Sequence, residues 1–234
     1  MAANDAAHSQ TLSRGIRALE ILAEASGAMS IAELSEALGV HRSIAYRILR
    51  TLEDHSLVIR DAAGRVSPGA GLAVLARSVS HDLQSAAMPE LSRIAEEFGM
   101  TAFIGVWDRA DCVTLVTVEP RHTGPTVAQR PGTRHPLSLG APGMAIQSVL
   151  SEAEWQLAAP GQPYRAQSHQ AAREGYAVSH DEVIPGLNSV AAPIILPGRH
   201  PAAIAVVYIR SELPVATIGE RLRDAASAIE NALR

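Results

Sequence analysis

The segment from Ile31 to Arg50, IAELSEALGVHRSIAYRILR, restricts the fold more than any other stretch of the chain. Leu34 and Leu38 lie on one face of a short helix, and Ser35 is small where a second helix must cross closely. Gly39 then allows the positive φ that a tight turn needs. A second helix, predicted from about His41 to His55, turns Ile44, Ile48 and Leu52 inward. With Val40, Ala45 and Ile48 also turned in, the outer face carries His41, Arg42, Ser43, Tyr46, Arg47 and Arg50. No acidic residue stands between Val40 and Leu52. Guanidinium forks and hydroxyls suit the edges of bases in a major groove and the phosphates beside it. The ordinary alternative is a helical hairpin with a solvated polar face. Three arginines without a compensating acid favour DNA.

The flanks complete a recognisable layout. Ser13 is a candidate N-cap for a helix from Arg14 to Ala25, and Gly27 ends that helix. Ser30, with Glu33 three residues on, forms a capping box for the helix from Ile31 to Leu38. After the arginine-bearing helix, Leu57-Val58-Ile59-Arg60 and Arg65-Val66-Ser67 flank Asp61-Ala62-Ala63-Gly64 and read as a β-hairpin. Three helices and a hairpin predict a winged helix-turn-helix over residues 12–69, preceded by a disordered tail, 1–11. Arg65 at the hairpin is a candidate for phosphate or minor groove, its alternative being a solvated surface arginine.

From Ala70 to Phe98 the pattern is helical. Pro89 is expected to separate a linker helix of about 70–84, within a linker of 70–86, from the first helix of a second domain, 87–234. Leu72, Leu75, Val79 and Leu83 recur near helical spacing, which fits packing on a partner helix or on the same chain. Beyond Gly99 strands are predicted at Thr101 to Trp107, Cys112 to Glu119, Val127 to Arg130, Tyr176 to Ser179, Ser189 to Ile195 and Ala203 to Arg210. Helices are predicted at Ala141 to Leu150, Glu152 to Ala158 and Val215 to Leu233, with a short one reaching Arg173. Strands framed by helices give an α+β class.

Composition excludes several functions. Hydrophobic residues make up 47% and charged residues 19% of the 234, which is globular rather than disordered. No apolar run approaches the roughly 18 residues that span a bilayer, and the polar start from Met1 to Gln10 is no signal segment. A cytoplasmic protein without a membrane partner is expected. The single cysteine, Cys112, sits in the apolar run Cys112-Val113-Thr114-Leu115-Val116 and reads as a small buried residue. The histidines lack metal-ligand spacing, so neither metal nor cofactor is expected. The net charge of −4 does not exclude DNA, because affinity follows local charge at the phosphates, and every Lys/Arg position is arginine. No GxSxG, Walker-type or GxGxxG motif supports catalysis. The pairs Asp108/Asp111, Glu152/Glu154 and Asp181/Glu182 read as solvated surface charges. Two rivals to a ligand-sensing regulator stay open: an enzyme acting on a small carboxylate, and a dimeric DNA-binding protein that needs no ligand.

Three blocks in order resemble the IclR family of bacterial transcriptional regulators: SRGIRALEIL with IAELSEALGVHRSIAYRILRTLEDHSLV, RPGTRHPLSLGAPGMAIQS, and GYAVSHDEVIPGLNSVAAPIILPGRHPAAIAVVYI. The resemblance implies a GAF-like effector domain with a curved sheet, and homodimers or tetramers on a double-stranded DNA operator. It also implies a small effector, commonly a carboxylate or aromatic acid, and regulation that is often repression. It places Gly140 and Ala141 where backbone N–H groups meet a ligand carboxylate. Ser179 or Asp181, and Ser189, lie at the polar positions, with Val127 and Leu187 at the apolar ones. Pro142 lacks an N–H. Met144 and Ser138 stand where the family often has lysine and histidine, and Val206-Val207-Tyr208-Ile209 where it often has small hydroxyl residues. These departures predict a larger, partly apolar or aromatic effector.

Overall fold

The computed structural model describes residues 9–121 and 126–234. The chain divides into two compact units that meet in sequence at Val79 and Ser80.

The first unit begins with α1 (Gln10–Glu24), whose N-cap is Ser9, its hydroxyl accepting from the Leu12 N–H at 3.4 Å. The helix therefore starts before Ser13, and Gln10 and Thr11 of the expected tail are helical. The rest of that tail lies outside the described residues. Helix α2 (Ile31–Ala37) has the predicted capping box: the Ser30 N–H donates to Glu33 at 2.6 Å and the Glu33 N–H to the Ser30 hydroxyl at 3.2 Å. Gly39 takes φ 63° in the turn before α3 (Arg42–Asp54). Ala18, Leu22, Leu34, Ile48, Leu49 and Leu52 form the core, closed by Val58 and Val66 of the hairpin β1 (Val58–Arg60) and β2 (Val66–Pro68). A backbone bridge from Met29 to Val66 ties the hairpin to the chain before α2.

The helical stretch after the hairpin breaks earlier than predicted. Helix α4 (Gly71–Ala76) is short, Ser80 takes a left-handed φ of 45°, and α5 (His81–Phe98) runs through Pro89. Proline in a helix costs one backbone hydrogen bond. Leu83, Ala87, Leu91 and Ile94 are fully buried around it, and that burial holds α5 together. Of the expected linker stripe, Leu83 goes into the core of the second unit, while Leu75 and Val79 stay 63% and 52% exposed.

The second unit is a six-stranded antiparallel sheet in the order β5-β4-β3-β8-β7-β6. Its strands are β3 (Thr101–Asp108), β4 (Asp111–Val118), β5 (Arg134–Pro136), β6 (Ala177–His180), β7 (Asn188–Ile194) and β8 (Ala202–Tyr208). Side chains alternate between the two faces. Ala102, Ile104, Val190, Ala192, Ile204 and Val206 pack with α5 and with α9 (Val215–Ala232). Phe103, Ala191, Ala203, Ala205 and Val207 face α6 (Gly140–Ser148), α7 (Glu152–Ala158) and α8 (Ala166–Glu174). The α+β architecture is the one expected, with one strand displaced. Val127 to Arg130 is not a strand. Pro131 and Gly132, the latter at φ 86°, turn the chain with a Thr133 N–H to Arg130 C=O bond, and pairing with β4 starts only at Arg134.

Helix α6 is buried at all nine positions. A Cβ added at Gly143 would lie 2.0 Å from the Leu137 carbonyl oxygen, which is backbone and cannot rotate away. Gly143→Ala is therefore expected to destabilise the second unit by about 3 kcal/mol, read as a lowered urea midpoint. Cys112 is buried, and desolvation pushes its thiol up to about 12. The native protein is expected not to react with a thiol reagent at neutral pH, and to release one equivalent only on unfolding.

Candidate functional site

On α3 the predicted outward residues stand together. Arg42, Ser43, Tyr46, Arg47 and Arg50 are exposed, whereas Ala45, Ile48, Leu49 and Leu52 are buried. His41 lies just outside the helix as its N-cap. Its Nδ1 accepts from the Ser43 N–H at 3.3 Å and lies 2.9 Å from the Ser43 hydroxyl, so both side chains also shape the helix start. Arg42, Arg47 and Arg50 form no ion pair among the described residues. Arg60 was not anticipated. It forms a forked pair with Glu53 at 2.6 and 3.1 Å, with its guanidinium 5.6 Å from the Tyr46 ring centroid, so the hairpin braces the face that Tyr46 belongs to. Arg65 behaves differently from the expectation of a free wing residue. Its guanidinium donates to the Ala28 carbonyl at 2.8 and 2.5 Å and reaches Glu33 at 3.3 Å. A phosphate must compete with those contacts.

In the second unit a cavity of about 50 Å³ lies where α6 begins. Phe103, Val207 and Leu187 line its apolar side, and His135, Gln129 and Ser189 contribute polar groups. Of the residues singled out in the sequence, Gly140, Ser179, Leu187 and Ser189 line it. Ala141 adjoins it through its N–H, which donates to the Ser179 hydroxyl at 3.0 Å. The Ser189 hydroxyl donates to the Val206 carbonyl at 2.8 Å. Two residues fall outside the lining. The Val127 carbonyl accepts from the Thr101 hydroxyl at 2.6 Å, beside a separate depression. Asp181, at φ 58°, accepts from the Gly186 N–H at 2.6 Å and so folds the segment that closes the cavity. Met144 is a core residue, and Ser138 presents its carbonyl to Arg165.

Glu182 is not the solvated charge expected of it. One carboxylate oxygen accepts from the Gly140 N–H at 2.9 Å, and Arg165 holds both oxygens at 2.5 and 2.9 Å. The Arg165 hydrogen bonds hold the Glu182 carboxyl below the ordinary glutamate value of 4.5, aided by the Gly140 N–H. Burial lowers the His135 imidazole, and its Nδ1 lies 3.1 Å from the Pro136 carbonyl. The signal for Glu182 was its place in the last resembling block. Nothing local in the sequence connects it to Arg165.

An exposed arginine face on a helix-turn-helix, in one chain with an α+β unit that holds a cavity, defines a DNA-binding regulator of transcription. Models of the IclR helix-turn-helix domain and of the bacterial transcriptional regulator IclR C-terminal domain match residues 11–62 and 76–231. The chain belongs to the IclR family of transcriptional regulators, and with that assignment the enzyme reading falls. It is 26% identical over 212 residues to the Acetate operon repressor of Salmonella typhimurium, covering 83% of this chain and 77% of the relative. It is 28% identical over 245 residues to the HTH-type transcriptional repressor AllR of Escherichia coli, covering 96% and 90%. Two solved structures share the fold. The regulator from Alicyclobacillus acidocaldarius has TM-score 0.81 at 23% identity, covering 97% of this chain and 100% of that one. An IclR homolog from Microbacterium hydrocarbonoxydans complexed with 4-hydroxybenzoate has TM-score 0.82 at 21% identity, covering 96% and 99%.

Because the folded Glu182 carboxyl titrates below its unfolded value, its contribution to stability is present above 4.5 and is lost as pH falls through the folded value. Glu182→Gln is expected to cost about 1–3 kcal/mol at neutral pH. The gap in melting temperature between variant and parent is expected to close on acidification.

Proposed function

We propose that this protein is a repressor that binds a double-stranded operator as a homo-oligomer, dimer or tetramer, in the cytoplasm, and that a small organic acid entering the α6 cavity changes its operator affinity. The observation that carries the reading is the face of α3: Arg42, Arg47 and Arg50 are exposed on a helix seated by Ala45, Ile48 and Leu49, and form no ion pair among the described residues. Repression follows the names of the relatives. The effector class follows the family and the 4-hydroxybenzoate bound to a protein of the same fold. Apolar residues left outside the cores, Val74 at 67% and Leu75 at 63%, favour a second copy of the chain as a partner. Among the described residues no helix is long and apolar enough to cross a membrane.

The apolar lining of Phe103, Val183, Ile184, Leu187 and Val207 supports an effector with an aromatic or aliphatic body. A cavity of about 50 Å³ holds only a few waters at roughly 10–15 Å³ each. An effector of aromatic size therefore enters as the closing segment moves. Switching requires that the effector prefer one arrangement of the regulator over another, and its leverage on DNA is limited to that difference in affinity.

Fluorescence anisotropy with the protein's own upstream intergenic DNA, against a scrambled duplex, tests the reading. Tight selective binding that weakens steeply with salt is expected. Arg42→Ala and Arg47→Ala are each expected to weaken it by about tenfold or more. Absence of binding to any duplex at low salt would show the proposal to be wrong.

A further inference from the structure

A carboxylate approaching the start of α6 finds both backbone N–H groups engaged: Gly140 with Glu182, and Ala141 with Ser179. It also finds a carboxylate already there. Glu182 accepts from Gly140 and from both terminal nitrogens of Arg165, while Arg165 donates in addition to the Ser138 carbonyl. Gly140 and Glu182 themselves line the cavity. A second carboxylate beside that single guanidinium is disfavoured by like-charge repulsion. The place is thus shaped for a carboxylate and filled by the protein's own.

The residue that fills it belongs to the segment between β6 and β7. This segment contributes Val183, Ile184 and Leu187 to the cavity wall, yet Val183 and Ile184 remain 44% and 51% exposed. The cavity is too small for an aromatic acid while that segment is held down. We propose that Glu182 is a built-in competitor of the effector: an effector carboxylate takes its place against Gly140 and Arg165 and, in doing so, frees the segment between β6 and β7. This rests on the reading of the cavity as the effector site.

The exchange is balanced in charge. One carboxylate leaves the guanidinium and the N–H as another arrives, and Glu182, whose side chain is 23% exposed already, moves outward into water. A resident competitor lowers apparent affinity by the fraction of time it holds the place, and so sets the effector concentration at which the regulator responds. It also discriminates, because a neutral molecule of the same shape offers the guanidinium nothing in return for Glu182.

Titration calorimetry on the full chain tests this, with sodium benzoate and benzamide as probes at constant ionic strength, well below each variant's melting temperature. Glu182→Ala is expected to bind benzoate about tenfold or more tightly than the parent, and Glu182→Gln to gain less. Benzamide should gain clearly less than benzoate, since both use the freed room but only benzoate takes the place against Arg165. The Glu182→Ala, Arg165→Ala double variant should lose that difference. Should Glu182→Ala fail to give a cooperative melt, the near-isosteric Gln variant carries the same comparison. Unchanged benzoate affinity in a folded variant overturns the proposal. So does an equal gain for benzamide, which would mean only that volume had been opened. A benzoate gain without any change in operator affinity supports the competition and removes the effector reading, so the two fail separately.

Discussion

A nine-residue helix buried on every side must settle all its polar groups inside the protein, and much of the second unit follows from α6 being such a helix. Its first N–H groups cannot turn to water, so Glu182 and Ser179 accept from them. Gln147 is buried toward its other end, where its amide donates to the Pro163 carbonyl and accepts from the Arg165 N–H and the Ser168 hydroxyl. Those bonds fix the chain entering α8, which presents Arg165 to Glu182. Gly143 completes the arrangement by letting the helix lie against the Leu137 carbonyl. A change at any one of these points reaches the others through hydrogen bonds largely shielded from water.

The same constraint ties the cavity to the start of α6. A helix start that needs an acceptor has one supplied by the segment closing the cavity, so closure and capping are a single event. Arg165 makes that acceptor charged and keeps Glu182 ionised at neutral pH. The outer face of α3 follows the opposite logic. Its arginines, Arg42, Arg47 and Arg50, lie exposed and form no ion pair among the described residues, while the core beneath is Ala45, Ile48, Leu49 and Leu52. The start of α6 has its polar groups paired inside the protein, and the face of α3 has its arginines unpaired among the described residues.

The local elements were largely legible. The Ser30–Glu33 capping box, the Gly39 turn, the inward and outward faces of α3 and the alternating strands are set by residues a few positions apart, and the structure shows each of them. The errors came where a neighbouring cap or turn, or burial in the core, outweighed the pattern. Ser13 lost the cap to Ser9, and Pro89 failed to end a helix whose flanks are buried in the core of the second unit. Val127 to Arg130 was strand-like in composition, but the turn at Pro131-Gly132 moved the pairing to Arg134. At the site, Gly140, Ser179, Leu187 and Ser189 were named from the family resemblance and line the cavity, as does Glu182, which the sequence reading took for a solvated charge.

The sequence by itself determined the helix-turn-helix, its arginine face and the α+β class, because helix periodicity, capping and strand alternation act over a few residues and leave their pattern in the chain. The family came from three blocks that resemble it. Only the tertiary structure decided which charges matter. Arg165 and Glu182 are seventeen positions apart and Arg65 and Glu33 thirty-two, and neither pairing has a local signature. A surface charge and a buried, paired one read alike in a sequence, since the difference lies in what the fold brings within hydrogen-bond reach and in how much water it removes.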